Sequence, residues 1–385
     1  MAVIAPLPQL KNRWLFILGR ETWLSLAEIK AVFLLNKISY KIANHHDNHL
    51  IINCESRLET EKLINTLGGT IKIAQSIDKL NAPKALSEFL SNYIPTGKIE
   101  FSISGNAALG IETKKILKQT GRKARYIEAK NSATIIYNNL IDNGADIEIY
   151  QGEAFLTRAI QPIEEFSKRD FGRPGRDDVS GMLPPKLAMM MINLAMISKD
   201  KTILDPFCGS GTIISEAALL GYEKIIGSDI SAKATTDTSK NIQWLKNNFK
   251  NIKSNIKIDI FTIDATKISQ KIEFASIDAI IGEPYLGRPL TGRENPEAIE
   301  KQIGELKHLY ILAFTEFHKI LKPDGVIVFI IPRFKTRNGW INIDCLKEIE
   351  KLGFKNEPTL TEQKHLLYYR DNQHLGREIW RFKKI

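Results

Sequence analysis

Three aspartates follow short apolar segments in residues 202–265, and the first of them opens a glycine-rich loop. The sequence TILDPFCGSGTIISEAALLGYEKIIGSD places Asp205 before the loop and Asp229 at the end of the next apolar run, and FTIDA places Asp264 after a third. The carboxyl ends of parallel strands meet at one edge of a sheet, where doubly wound folds bind their ligands. We therefore expect the three carboxylates to border one ligand site.

The glycines of the loop, Gly209 and Gly211, indicate what kind of ligand this site takes. Glycine permits a tight turn and lets the backbone approach a ligand with no side chain in between. A dinucleotide site would require a third glycine at position 214, which is isoleucine, and a phosphate-binding P-loop would require a lysine that is missing here. Asp205 would repel a pyrophosphate but attract an ammonium group. A nucleoside without phosphate, such as S-adenosylmethionine, therefore fits best, and a purely structural glycine turn is the alternative.

Each strand-end carboxylate has a definite task in such a site. Asp229 would accept hydrogen bonds from the ribose hydroxyls, and Asp264 from the adenine amine. A lone strand-end aspartate is usually a helix cap, but three in series after a glycine loop favour a cofactor site. The predicted cofactor-binding residues are Asp205, Pro206, Cys208, Gly209, Gly211, Thr212, Asp229, Ile230, Asp264 and Ala265.

A fourth apolar run, IDAII, stops at Gly282, Glu283, Pro284 and Tyr285. At the end of the fourth strand, these residues would lie next to the cofactor crevice. A carboxylate there can accept hydrogen bonds from an amine, and an aromatic ring can stack on an extruded base. An ordinary packed aromatic after a tight turn is the alternative. We predict that Glu283, Pro284 and Tyr285 form the catalytic segment.

The distribution of charge predicts a polyanionic partner. The net charge is +10, and the segment from Lys98 to Lys130 holds eight Lys or Arg against three Glu. A helix and the loop after it concentrate these charges, as a phosphate-tracking surface would, although a solvated basic surface is the alternative. Arg293 and Arg333 are weaker candidates for phosphate contacts. The predicted RNA-binding residues are Lys114, Lys115, Lys118, Arg122, Lys123, Arg125 and Arg288.

The pattern of runs divides the chain into four parts. Residues 1–95 and 96–165 alternate short strand-like and helical runs, and residues 166–185 form a linker rich in Gly, Pro and charge. Residues 186–385 repeat strand, loop and helix, which is typical of a doubly wound α/β sheet. No apolar run approaches the roughly 18 residues of a membrane span, and the start has no signal-peptide layout, so we expect a cytoplasmic protein. Three widely separated cysteines argue against disulfides and a zinc site.

Several segments of the sequence resemble those of a known family. DPFCGSGT, followed by a fourth-strand acid, proline and aromatic residue, resembles amino-methyltransferases, which act on exocyclic amines of adenine or guanine. The segments GIETKKILKQTGRKARYIEAKNSATIIYNNL and RDFGRPGRDDVSGMLPPKLAMMMINLA are similar to the THUMP domain and the connecting segment of archaeal and eukaryotic tRNA guanine-N2 methyltransferases. The resemblance implies a Rossmann-like seven-stranded methyltransferase sheet preceded by a ferredoxin-like part (1–95) and a THUMP-like RNA-binding part (96–165). It also implies S-adenosylmethionine as cofactor and guanosine ten of tRNA as target.

The fourth-strand motif departs from that family. Its members usually carry Asp or Asn followed by Pro-Pro-Tyr or Pro-Pro-Phe. Aligned on Pro284 and Tyr285, this chain has Gly282 in place of the acid and Glu283 in place of the first proline. Glu283 could replace the missing acid if its longer side chain reaches the same place. A different target amine, a base held chiefly by Tyr285, or lost catalysis are the alternatives.

Two other functions stay open at this stage. One is methylation of ribosomal RNA or of an adenine amine in DNA or RNA. The other is RNA binding without catalysis by a protein with a degenerate cofactor site. Mono- and dimethylation are equally compatible with the sequence, and so is any oligomeric state.

Overall fold

The computed structural model describes residues 11–77, 80, 82–176, 182–290, 294–337, 339–357, 365–371 and 373–385. The chain divides into two compact units. The first consists of Met1–Thr22, Ile38–Thr66 and Thr70–Ile163, and the second of Trp23–Lys37, Leu67–Gly69 and Glu164–Ile385. Among the described ranges, no helix combines the length and the apolar character that a membrane crossing requires.

The elements up to residue 163 are mostly short strands and helices. In chain order they are β1 (Arg13–Leu18), α1 (Thr22–Leu35), β2 (Tyr40–His46), β3 (His49–Cys54), α2 (Thr60–Ile64), β4 (Thr70–Ser76), α3 (Pro83–Tyr93), β5 (Ile99–Ser104), α4 (Ala107–Gln119), β6 (Ala124–Tyr126), α5 (Ser132–Tyr137), β7 (Ala145–Tyr150) and β8 (Glu153–Ile160).

The remaining elements alternate strand and helix until the last quarter of the chain. They are α6 (Ile163–Phe171), α7 (Pro185–Leu194), β9 (Thr202–Asp205), α8 (Thr212–Leu219), β10 (Lys224–Asp229), α9 (Ala232–Asn248), β11 (Lys257–Thr262), a 3-10 helix (Ala265–Gln270), β12 (Ile277–Gly282), α10 (Pro296–Ile320), β13 (Leu321–Thr336), β14 (Gly339–Asn342), α11 (Leu346–Lys351), β15 (Phe354–Asn356), β16 (Leu366–Tyr368) and β17 (Leu375–Lys384).

The first unit is built on one eight-stranded mixed sheet of order β2-β3-β1-β4-β8-β7-β5-β6. The strands predicted in residues 1–95 and those predicted in 96–165 belong to this same sheet, because β4 pairs with β8. Helix α4 begins after Asn106, whose side chain accepts a hydrogen bond from the Leu109 amide, and ends before Gly121 at φ +77°. The basic helix therefore forms as its sequence predicts.

The sheet of the second unit has seven strands in its main path, in the order β11-β10-β9-β12-β13-β17-β15. Of the two further strands, β14 pairs with β13 and β16 pairs with β17. The pairs from β11 to β13 are parallel, and β17 runs antiparallel to β13 and β15. Strands that are buried on both faces need continuous apolar runs. The segments TIL, KIIG and IDAII provide such runs. The predicted Rossmann-like seven-stranded sheet is confirmed.

Apolar side chains from helices cover both faces of this sheet. One core packs Leu187, Ile214 and Ile242 of α7, α8 and α9 against the strands. The other packs Phe314 and other residues of α10 against Phe329 of β13, with ring centroids 5.2 Å apart. Helices on both faces leave the strand ends as the open edge of the sheet.

The predicted linker 166–185 contains ordered structure in its described part. Helix α6 covers its first residues, with Glu164 and Glu165 in the first turn and Lys168 and Arg169 in the last, which complements the helix dipole. Residues 177–181 of the segment lie outside the described residues. The four predicted domain boundaries stay a prediction.

Candidate active site

Three acidic residues close neighbouring strands of the second unit. Asp205 ends β9 and is paired with Gly227 of β10, while Asp229 ends β10 opposite Thr262 of β11. Asp264 follows β11 and caps the 3-10 helix by accepting a hydrogen bond from the Thr266 amide at 2.9 Å. The register therefore brings the three carboxylates to one edge of the sheet, as the spacing predicts.

The glycine loop turns between β9 and α8 with help from Asp229. The Gly209 amide donates to the Asp229 carboxylate at 2.9 Å, and the Cys208 amide donates to the Ser228 carbonyl at 2.9 Å. Gly209 has φ +51°, and a Cβ there would meet no atom closer than the Phe207 carbonyl oxygen at 4.0 Å. The loop thus leaves open space where a side chain would otherwise stand.

Side chains of helix α9 donate hydrogen bonds to the glycine loop, and the sequence did not indicate these contacts. Thr238 donates its hydroxyl to the Gly209 carbonyl at 2.8 Å, and Asn241 donates its amide to the Ser210 carbonyl at 2.7 Å. Gly211 has φ +83°, and a Cβ on it would lie 2.7 Å from Cγ2 of Thr238. Gly211 is therefore required by packing, whereas Gly209 faces open space.

Arg173, from the predicted linker, also supports the loop. Its guanidinium donates to the hydroxyl of Thr212 at 2.6 Å, in a buried contact with the first turn of α8. Two residues further, Gly175 exchanges backbone hydrogen bonds with the side chain of Asn241. The connecting segment GRPG therefore buttresses the ligand loop, and only its unusual composition signalled this role.

The electrostatics of the edge favour a cationic ligand. Asp205 is only 2% exposed, and burial raises its pKa well above its usual range, with Asp229 and Glu283 raising it further. A positive group placed near these carboxylates would reverse that effect. Burial also raises the pKa of the Cys208 thiol, so this cysteine is a neutral wall of the site. Within the parts of the chain that the structure describes, no group of three or more His, Cys, Asp or Glu could hold a metal ion.

These residues fit S-adenosylmethionine, whose sulfonium and ammonium groups are positive. Each oxygen of Asp229 accepts one backbone amide, from Gly209 and Ser231, which leaves further lone pairs for ribose hydroxyls. Ile230 is 69% exposed beside it and offers an apolar surface for a base, and Ala265 begins the 3-10 helix. A pyrophosphate would meet only repulsion here.

The fourth-strand segment places Glu283 beside this edge. Its carboxylate accepts a hydrogen bond from Nε of Arg377 at 2.6 Å, and the two side chains are almost equally buried. The β12 strand ends at Gly282, where a Cβ would lie 3.5 Å from Asp205 Oδ1 and from Pro206 Cδ, an ordinary contact distance. A side chain at position 282 would therefore have room. The acidic group at this end of β12 is instead that of Glu283, which is paired with Arg377.

The rest of the segment presents an aromatic ring on a fixed backbone. Pro284 is buried, whereas the Tyr285 side chain is 55% exposed. The buried Tyr310 hydroxyl of α10 donates to the Tyr285 carbonyl at 2.8 Å. The amide of Arg288 donates to the side chain of Gln302 at 2.9 Å. Helix α10 thus holds the loop at two points and leaves the ring accessible.

The predicted RNA-binding residues of the first unit differ in their surroundings. The structure leaves Lys115, Lys118 and Lys123 exposed and Lys114 partly exposed. Arg122 instead donates to the carbonyls of Ser91 and Ile94, at the end of α3. Arg125 lies 3.6 Å from Glu100. Arg288 is exposed in the second unit, and the weaker candidate Arg293 lies outside the described residues.

The second unit is a doubly wound sheet with acidic residues at the ends of its first three strands around a glycine loop, an arrangement that fits S-adenosylmethionine-dependent methyltransferases. Residues 173–350 match the family described as "RMKL-like, methyltransferase domain". This match agrees with the prediction of a methyltransferase.

Curated relatives share part of the chain. A tRNA (guanine(10)-N2)-dimethyltransferase from Methanocaldococcus jannaschii is 29% identical over 156 residues, which covers 40% of this chain and 38% of that protein. One from Methanothermobacter thermautotrophicus is 32% identical over 46% of this chain and 47% of its own length. One from Pyrococcus abyssi is 29% identical over 64% of this chain and 70% of its own length. The chain thus aligns with less than half of the first two of these relatives.

A solved structure shares the fold over nearly the whole chain. The crystal structure of TrmN from Thermus thermophilus matches with a TM-score of 0.54, covering 97% of this chain and 100% of that chain. The sequences are 15% identical, so the likeness concerns the fold alone.

Proposed function

We propose that the protein transfers a methyl group from S-adenosylmethionine to the exocyclic N2 amine of a guanosine in tRNA, with guanosine ten as the target. The observation that carries the proposal is the Glu283–Arg377 pair at the end of β12, beside the buried Asp205 and the exposed ring of Tyr285. The names of the relatives, tRNA (guanine(10)-N2)-dimethyltransferases, support the choice of RNA and base.

The arrangement suits the chemistry of an aromatic amine. When bound, S-adenosylmethionine would supply an electrophilic methyl group on its sulfonium, with the neutral thioether as the leaving group. Glu283 accepts a hydrogen bond from the amine, which keeps the nitrogen lone pair pointed at the methyl group, and takes the proton that the nitrogen loses. Tyr285 stacks on the extruded base. Arg377 holds the Glu283 carboxylate at one position.

The cofactor contacts follow from the same edge of the sheet. Asp229 accepts hydrogen bonds from the ribose, Asp264 from the adenine amine, and Asp205 faces the positive end of the methionine moiety. The main chain at Gly209 approaches the ligand closely because no side chain intervenes. The remaining predicted cofactor residues, Pro206, Cys208, Gly211, Thr212, Ile230 and Ala265, shape the walls.

The first unit would bind the RNA. Lys115, Lys118 and Lys123 are exposed on α4 and the loop after it, and they would track phosphates. The resemblance of residues 110–140 to the end of a THUMP domain supports this assignment.

Mass spectrometry of nucleosides tests the proposal. Transfer-RNA is incubated with the protein and methyl-labelled S-adenosylmethionine and then digested. Wild type should form labelled N2-methylguanosine or N2,N2-dimethylguanosine. Glu283→Gln should lower the rate about 100-fold or more, because a general base contributes on that scale, while cofactor affinity by calorimetry stays unchanged.

A matched control and two contrary outcomes sharpen this experiment. Glu223→Gln breaks the Glu223–Lys253 ion pair at 2.7 Å, before β10, and should leave the rate unchanged. Label in another nucleoside would overturn the guanine assignment. Cofactor binding without any labelled RNA would support a non-catalytic RNA-binding protein instead.

A further inference from the structure

A three-stranded ribbon extends beyond the edge of the sheet where the site lies. The last residue of β12, Gly282, pairs with Phe329 of β13, but β13 continues to Thr336. Along residues 333–336 it pairs with β14, and along residues 326–334 with β17. At about 3.3 Å per residue, the seven residues after Phe329 reach roughly 20 Å past the end of β12.

Cationic and aromatic side chains cluster on this ribbon. The guanidinium of Arg333 lies 4.2 Å from the ring centroid of Trp340. The ammonium of Lys335 lies 5.3 Å from the ring centroid of Tyr369 and 3.0 Å from its hydroxyl. The Trp340 and Tyr369 rings meet edge to face, with centroids 4.9 Å apart. We call Arg333, Lys335, Trp340 and Tyr369 the ribbon cluster.

Gly376 connects the ribbon cluster with the active site. A Cβ at Gly376 would lie 3.1 Å from Cγ and Nε of Arg333 and 3.3 Å from Cζ3 of Trp340, so the two side chains rest on bare backbone. The next residue of β17 is Arg377, which holds Glu283. The ribbon cluster is therefore one residue along β17 from the partner of the carboxylate at the reaction site.

The ribbon cluster and the residues beside it carry the positive charge of a nucleic-acid surface. Residues 333–342 contain three Lys or Arg and no Asp or Glu, and both Lys335 and Arg337 are exposed. Among the described residues, Nε of Arg333 has no hydrogen-bond partner. Protein interfaces are depleted of lysine, whereas single-stranded nucleic acid is bound by aromatic rings interleaved with cations. The chemistry therefore favours RNA.

We propose that the ribbon cluster binds the nucleotide that flanks the target base, with a base stacked on Trp340 or Tyr369 and a phosphate beside Lys335. This inference rests on the proposed function in that it takes RNA as the substrate. It adds a second RNA contact, on the catalytic unit, to the basic surface of α4. A base that leaves its stack exposes its neighbour, and the ribbon cluster would hold that neighbour in place.

Two variants and two matched controls test the inference on the full chain. Trp340→Leu removes a ring and Lys335→Ala an exposed cation. Phe274→Leu removes a ring that is 70% exposed in the loop before β12, and Lys224→Ala an exposed cation at the start of β10. Binding of tRNA is measured by fluorescence anisotropy with S-adenosylhomocysteine present, at several salt concentrations, together with methylation kinetics.

The ribbon variants should differ from the controls in RNA affinity alone. Trp340→Leu should weaken tRNA binding about tenfold, the scale of one lost base stack. Lys335→Ala should lower the slope of log affinity against log salt by about 0.7, the value for one phosphate contact. Both should raise KM for tRNA and leave kcat within about twofold, and both controls should match wild type.

The contrary outcomes separate this inference from the proposed function. Wild-type affinity in Trp340→Leu and a wild-type salt slope in Lys335→Ala would overturn the inference, whichever nucleoside is methylated. If Trp340→Leu does not fold, the salt slope of Lys335→Ala decides alone. Weakened binding with the label found outside guanosine would keep the inference and overturn the guanine assignment.

Discussion

Arg377 determines what Glu283 can do at the end of β12. The two residues are far apart in the sequence, yet their side chains are 2.6 Å apart and both largely buried. A carboxylate on a flexible three-bond side chain would otherwise sample several rotamers, and its ion pair selects one. In the proposed mechanism, the longer side chain of Glu283, oriented by Arg377, takes the place of the shorter acid that is absent at Gly282.

Arg377→Met should lower kcat because Glu283 loses the group that orients it. We expect a fall of about tenfold to 100-fold, since misplacement of a catalytic group by about 1 Å has effects of that size. Arg377→Lys should recover part of the loss. Steady-state kinetics and cofactor calorimetry on each variant measure this, with Lys253→Met as the control that breaks an exposed ion pair. Unchanged kcat in Arg377→Met would contradict the positioning role.

The two loop glycines should respond differently to a methyl group. In Gly211→Ala the new Cβ would lie 2.7 Å from Thr238, at φ +83°, so the variant should lose about 2 kcal/mol or more of stability. In Gly209→Ala the Cβ would enter open space, so stability should fall by only about 1 kcal/mol while cofactor affinity falls sharply. Thermal melting and calorimetry distinguish the two. Unimpaired cofactor binding by Gly209→Ala would show that no ligand approaches there.

Residues of the site could be predicted where the neighbouring sequence marks their position. Asp205, Asp229 and Asp264 each end an apolar run, and the carboxyl-edge rule then brings them together. Arg377, Thr238 and Asn241 were not predictable, because their roles depend on contacts between distant segments, and an isolated Arg, Thr or Asn on a strand or helix carries no such signal. Arg122 belongs to the basic run of the sequence, and its guanidinium also donates to carbonyls at the end of α3, which the sequence does not show.

At the scale of elements, helix α1 belongs with the second unit although the sequence places it near the start of the chain. Its buried Glu28 accepts hydrogen bonds from the Gly68 and Gly69 amides at 2.8 Å each and from Asn193 of α7 at 2.8 Å. No sequence pattern marks a glutamate as buried. Helix α1 thus packs within the second unit through contacts that composition alone does not signal.

The burial of Glu28 makes stability depend on pH. Burial raises the pKa of Glu28 from 4.5 to about 7, so the folded chain keeps a proton that the unfolded chain releases. The resulting stabilisation is fully present below pH 4.5 and is lost as pH rises through about 7, by roughly 3 kcal/mol in total. The unfolding free energies of wild type and Glu28→Gln, measured at pH 5 and pH 8, should diverge in favour of the variant at pH 8. A difference that does not change with pH would contradict the burial of an ionisable Glu28.

The alternation of strands and helices in the second unit was the most predictable element-scale feature. Glycine loops and turn residues punctuate the apolar runs, and the resemblance to a known family implied the rest of the sheet. Helix α6 was missed because Gly, Pro and charge dominate the segment as a whole. Its acidic first turn and basic last turn were a usable local signal.

At the scale of the whole molecule, the net charge of +10 matters through where the exposed cations lie. The combined variant Lys115→Ala, Lys118→Ala, Lys123→Ala should weaken tRNA binding and lower its salt slope by about two to three, one phosphate contact for each lysine. Arg122→Ala should instead lower the melting temperature, because it uncaps α3. Filter binding across salt concentrations and thermal melting check both. A wild-type salt slope in the triple variant would remove α4 from the RNA-binding surface.

Methyl transfer to the N2 amine of guanosine ten can be tested with a tRNA that lacks this amine. A tRNA with inosine in place of guanosine ten differs from the natural substrate chiefly by the missing amine. We expect this tRNA to bind as well as the unmodified one and to incorporate no labelled methyl group, while inosine at a different guanosine leaves incorporation unchanged. Equal incorporation into the inosine-ten tRNA would contradict the account.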